Sequence, residues 1–139
     1  MDVQTQIQNE LERVEREKGV RLIYACESGS RAWGFESSDS DYDVRFIYHR
    51  AARDYLSLSP PRDTIDRMLP DSIDLAGWDL FRACQLLRKS NPALIEWLGS
   101  PIRYLDRADV TDVLRRESRE HFSLRAAGEH YRSMARRNY

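Results

Sequence analysis

The sequence predicts an α/β fold: a small mixed sheet, helices behind it, and a helical C-terminal part. Three observations carry this. Val3, Ile7, Leu11 and Val14 recur at three- and four-residue steps, the apolar stripe of an amphipathic helix. Val20 to Cys26 and Val44 to Tyr48 are short apolar runs, the first nearly continuous, as in a strand buried on both faces. Beyond Gly77 the helical period dominates. A length of 139 residues suits one domain with a real core. We read residues 1–139 as that single domain, with the sheet core in 1–77 and a mostly helical extension in 78–139.

The first helix spans residues 3 to 18; Glu and Arg fill its polar face and Gly19 ends it. The first strand follows, Val20 to Cys26. Ser28 and Ser30 are helix-starting residues, so Arg31 to Phe35 is expected as a short helix or turn. Glu36 to Ser40 reads as a polar loop and Asp41 to Tyr48 as the second strand. A short helix is expected within His49 to Leu58, stopped by Ser59-Pro60-Pro61. Thr64 to Leu69 and Ser72 to Ala76 read as a hairpin around Pro70-Asp71. Gly77 is expected to supply a turn into a helix from Trp78 to Arg88, with Leu80, Ala83, Cys84 and Leu87 on one face. Asn91-Pro92 opens a helix to Leu98, with proline at its first position. Ile102 to Leu105 is extended, and Asp109 to Glu120 and Leu124 to Asn138 are the last helices.

Composition excludes several classes. Hydrophobic residues are 41% and charged residues 32%, ordinary for a water-soluble domain. No apolar run approaches the roughly 20 residues of a membrane span, and the N-terminus lacks the basic start and apolar core of a signal peptide. Cys26 and Cys84 lie in apolar stretches without metal or redox spacing, which predicts two buried, reduced thiols and a cytoplasmic setting. The net charge of −1 gives no global basic field for nucleic acid. Locally, Glu27, Glu36, Asp39, Asp41 and Asp43 crowd one stretch against Arg31. Arg125, Arg132, Arg136 and Arg137 dominate the tail. Lys18 and Lys89 are the only lysines. Arginine suits phosphate, but genome composition is the preferred explanation of that bias. His49, His121 and His130 share no ligand spacing. No lysine follows the glycines at P-loop spacing.

Chemistry concentrates between Glu27 and Tyr48. Strand residues i and i+2 share a face, so Asp41 and Asp43 set two carboxylates side by side. Like charges that close repel unless a cation relieves them, and hard cations such as Mg²⁺ or Mn²⁺ take oxygen ligands. Gly29-Ser30 lies just after a strand and before a turn, where backbone N–H groups can hold a phosphate. A phosphate cradle facing a carboxylate pair points to metal-dependent chemistry on a nucleoside triphosphate. Gly29 lets the backbone approach the phosphate, and Ser30 supplies a hydroxyl. Arg31 either neutralises phosphate charge or pairs with Glu27 or Glu36. Asp39 caps or shapes the loop, Asp79 complements a helix dipole, and Trp33 is expected in the core.

Gly-Ser, a spacer and Asp-x-Asp before an apolar residue resemble the signature of the DNA polymerase beta-like nucleotidyltransferase superfamily. The wider text, Gly29-Ser30-Arg31-Ala32-Trp33-Gly34-Phe35 and Ser38-Asp39-Ser40-Asp41-Tyr42-Asp43-Val44, is similar to its branch of predicted nucleotidyltransferases linked with RNA repair. Asp74 to Leu80, Lys89-Ser90-Asn91-Pro92, Glu96-Trp97-Leu98 and His130-Tyr131 extend the likeness towards the end of the chain. The resemblance implies a polymerase beta palm-like sheet and two-metal nucleotidyl transfer. Asp41 and Asp43 would hold Mg²⁺ or Mn²⁺, Gly29, Ser30 and Arg31 the NTP, and an RNA end would be the acceptor. It also implies a third carboxylate from a neighbouring strand, for which Asp66 and Asp74 compete. Asp74, between the inward-facing Ile73 and Leu75 and just before Gly-Trp-Asp-Leu, is preferred. Transfer to a protein or small molecule, and a binding module without turnover, are the alternatives. The apolar stripe Leu124, Ala127, Tyr131, Met134 and Ala135 needs a partner surface. The expectation is a missing C-terminal segment or a homo-oligomer.

Overall fold

The computed structural model describes residues 2–35, 41–122 and 124–138. Asp39 and Glu36, and the loop role expected of them, lie outside that set. Among the described residues the chain forms one five-stranded mixed sheet and six α-helices.

Helix α1 (Val3–Lys18) begins where the Asp2 carboxylate accepts the Thr5 N–H at 2.7 Å. It ends at Gly19, whose φ of 64° is the left-handed conformation that a side chain disfavours. Strand β1 (Arg21–Glu27) leads into a 3-10 turn at Ser30–Trp33, and β2 (Tyr42–His49) follows. Helix α2 is short (Ala52–Tyr55). Strands β3 (Thr64–Leu69) and β4 (Ile73–Asp79) form the expected hairpin, with Ser72 in the left-handed region at φ 58°. Then come α3 (Leu80–Arg88), α4 (Pro92–Leu98), β5 (Arg103–Asp106), α5 (Ala108–His121) and α6 (Leu124–Asn138).

The sheet order is β3-β4-β2-β1-β5. All neighbours are antiparallel except β2 and β4, which run parallel through the crossover that α2 and β3 supply. Helix α1 covers one face, burying Ile7, Leu11 and Val14 against Leu22, Val44, Phe46 and Leu75. The opposite face carries Tyr24, Ile47 and Trp78 under Ala83, Leu94, Trp97 and Leu114 of α3, α4 and α5. This second cover is partial. It leaves uncovered the end of the face where β2 and β4 begin.

Three expectations are corrected. Gly77 and Trp78 belong to β4, not to a turn and a helix start. The Phe46 ring lies where a Cβ on Gly77 would stand, 2.1 Å from its Cε2, and Trp78 stacks on Trp97 at 4.0 Å. Both contacts need an extended backbone, so the helix waits for Asp79. That residue caps it, accepting the Phe81 N–H at 2.8 Å and the Tyr55 hydroxyl at 2.9 Å. Trp33 is 48% exposed rather than core, because the 3-10 turn buries Ala32 instead. Cys84 is exposed, while Cys26 is buried, a desolvation that pushes its thiol up to about 12. The stripe on α6 faces mostly outward: Leu124 is 79% and Tyr131 52% exposed, and only Ala127 is buried.

Candidate active site

The uncovered end of the sheet is built by register. Parallel pairing sets Asp43 of β2 directly opposite Asp74 of β4. Alternation forces the rest: Val44, Ile73 and Leu75 are buried on the α1 side, so Asp43 and Asp74 point together to the other face. Their side chains are 32% and 30% exposed. Asp41 precedes the first residue of β2 and is exposed. Asp66, the competitor for the third carboxylate, lies on β3 opposite Ala76, outside the Asp43–Asp74 row.

Gly29 stands against this pair. A Cβ there would come within 2.1 Å of Asp43 Oδ2 and 2.9 Å of its carboxyl carbon. The Gly-Ser turn therefore touches the acid row through bare backbone. Ser30 opens the 3-10 turn and its carbonyl accepts the Phe35 N–H at 3.0 Å. The N–H groups that begin such a turn have no partner within it. Arg31 turns to the other side. Its guanidinium lies over the Tyr42 ring at 4.0 Å. Glu27, Arg31, Tyr42, Ile102 and Tyr104 line a cavity of about 310 Å³ beside the start of α1.

Two residues at the centre of this arrangement carry no role in the sequence reading. Glu27 is fully buried. Its Oε2 accepts the Gly29 N–H at 3.2 Å and the Asp43 N–H at 2.8 Å, and its Oε1 accepts the Tyr104 hydroxyl at 3.0 Å. One carboxylate thus ties the Gly-Ser turn, the acid strand and β5 together. The Gly29 N–H is engaged there, so a phosphate at the turn must use the donors that follow it. Tyr104, buried beside this carboxylate, has its hydroxyl pKa raised by desolvation first and by Glu27 second. The other residue is Arg45. It stands at i+2 from Asp43, on the same face. Its Nη2 approaches Asp74 Oδ2 at 3.0 Å and Asp43 Oδ1 at 3.8 Å, and its Nη1 donates to the Asp74 and Val44 carbonyls, each at 3.1 Å. The alternation rule that paired Asp41 with Asp43 also reaches Arg45, and that signal was legible. Glu27 left only its place at the end of an apolar run.

The RNA repair pathway DNA polymerase beta family matches residues 3–139. The uncharacterized protein YcgL of Bacillus subtilis (strain 168) is 48% identical over 130 residues, which cover 94% of this chain and 50% of YcgL. The chain thus spans about half the length of that curated relative. No solved structure matches it.

Proposed function

Because this chain belongs to the RNA repair pathway DNA polymerase beta family, we propose that it is a metal-dependent nucleotidyltransferase moving a nucleoside monophosphate from an NTP to the hydroxyl of an RNA end in the cytoplasm. The observation that carries this reading is the in-register Asp43–Asp74 pair on an uncovered sheet face, with Gly29 against Asp43. The donors are all carboxylate oxygens from adjacent strands, a set that fits Mg²⁺ or Mn²⁺. Asp41, Asp43 and Asp74 would hold the metal. Bound there, it would neutralise triphosphate charge and acidify the acceptor hydroxyl.

The chain's own residues do the rest by positioning. Gly29 keeps the turn close enough to Asp43 for phosphate and carboxylate to share one site. Ser30 offers its hydroxyl to the β- or γ-phosphate. Arg31, on the Tyr42 ring, adds positive charge beside the turn. Asp74, on the strand next to Asp43, orients the acceptor hydroxyl for in-line attack on the α-phosphate. Sheet and core hold these groups without reorganisation, so the charge that develops during transfer meets a preset field.

Incubation with each labelled NTP and Mg²⁺ or Mn²⁺, with and without total RNA, tests the reading. Label should pass to RNA and be lost in Asp41→Asn and Asp43→Asn variants that keep the native circular dichroism. Label on protein, or transfer indifferent to both substitutions, would defeat it.

A further inference from the structure

Asp74 already has a cation. The Arg45 guanidinium is held by five atoms in two directions: two backbone carbonyls fix Nη1, while Nη2 pairs with Asp74 and, at longer range, Asp43. The fifth tie is the strand itself, since Arg45 and Asp43 share one face of β2. The arginine is only 20% exposed. A dication on either Asp74 oxygen would sit beside this full positive charge, where like charges repel strongly. Asp41 and the far oxygen of Asp43 are not engaged by it.

We infer that Arg45 is a positioning residue that gates the metal site: it holds Asp74 back, so a divalent cation first meets Asp41 and Asp43, and Asp74 joins only when Arg45 releases it. This rests on the metal-dependent reading above. A charge-assisted bond must then be broken for the complete site to form. Metal affinity is set below what three carboxylates alone would give, and the assembly of the site is ordered. Arginine on an acid face is otherwise read as a fold-stabilising ion pair. That simpler role leaves metal affinity unmoved or lowers it.

The test is Mn²⁺ titration of the full chain, followed by calorimetry and by the resonance of free Mn²⁺. Wild type is compared with Arg45→Gln, Arg45→Lys, Asp43→Asn, Asp74→Asn and the Arg45→Gln/Asp74→Asn pair. Arg45→Gln should bind Mn²⁺ about tenfold tighter than wild type, the factor expected when one charge-assisted hydrogen bond need not be broken. The gain should vanish in the pair that also lacks Asp74. Arg45→Gln should melt below wild type in chelator and be raised more by Mn²⁺. Arg45→Lys, with a single ammonium that cannot span both carbonyls and the carboxylate, should fall between, and it carries the test if the glutamine variant does not fold. Equal or weaker Mn²⁺ binding in the folded Arg45 variants, or a gain that survives loss of Asp74, would overturn the gate. If Asp43→Asn binds Mn²⁺ as wild type does, the metal reading itself fails, and the gate with it.

Discussion

Replacing Glu27 separates its hydrogen bonds from its charge. The side chain is fully buried and accepts from Gly29 N–H, Asp43 N–H and Tyr104 Oη at 3.2, 2.8 and 3.0 Å. Glu27→Ala leaves two backbone donors and a hydroxyl without their acceptor. Each such loss costs about 1–3 kcal/mol, so three give roughly 3 kcal/mol at the low end, and more if water from the adjoining cavity does not reach them. Glu27→Gln keeps one oxygen for the two N–H groups and turns its amide towards Tyr104, whose hydroxyl can accept as well as donate. Its cost should be about 1 kcal/mol. Urea unfolding at pH 7 measures both, read as midpoint shifts at constant slope. The folded fraction of Glu27→Ala should also bind Mn²⁺ less well, because Asp43 has lost the anchor on its N–H. A Glu27→Ala cost below about 1 kcal/mol, or a Glu27→Gln variant as damaged as the alanine, would refute the hydrogen-bond account.

Gly29→Ala should push the Asp43 carboxylate aside, since the new Cβ would lie 2.1 Å from Oδ2. Stability should fall by about 1–3 kcal/mol, and calorimetry should show a loss of Mn²⁺ affinity larger than that of Ser30→Ala. Gly77→Ala should cost about 1–3 kcal/mol in thermal or urea unfolding, because its Cβ would meet the buried Phe46 ring; a Phe46→Leu background should relieve part of it. Burial opposes ionisation of Asp106, and the hydrogen bonds from Thr111 and Arg115 overcome it, holding the carboxyl below its ordinary 3.8. The native state then binds fewer protons there than the unfolded chain. This support is present above pH 3.8 and lost as the pH falls through the lowered value. Asp106→Asn should therefore destabilise the protein near neutrality and flatten its acid unfolding limb, read by circular dichroism against pH.

Much of the fold was legible because local rules act on neighbours in sequence. The stripe from Val3 to Val14, Asp2 and Gly19 give α1 its bounds with no outside help. Asn91 and Pro92 do the same for α4. The sequence also determined the cluster of acids, the Gly-Ser turn and the family text around them, since those lie within one short stretch. Gly77 and Trp78 escaped this logic. Their helix-like context yields to contacts with Phe46 and Trp97, which are remote in sequence. The tertiary structure alone decided the register that sets Asp43 opposite Asp74 and leaves Asp66 beside Ala76. A slip of one residue would have turned every one of these side chains to the other face. It alone decided that Glu27 is buried as a shared acceptor and that Arg45 lies across two carboxylates, for these roles depend on partners supplied by other strands. Sequence spacing settles which groups share a face of one strand; only the pairing of strands, set by the core beneath, settles which groups meet across them.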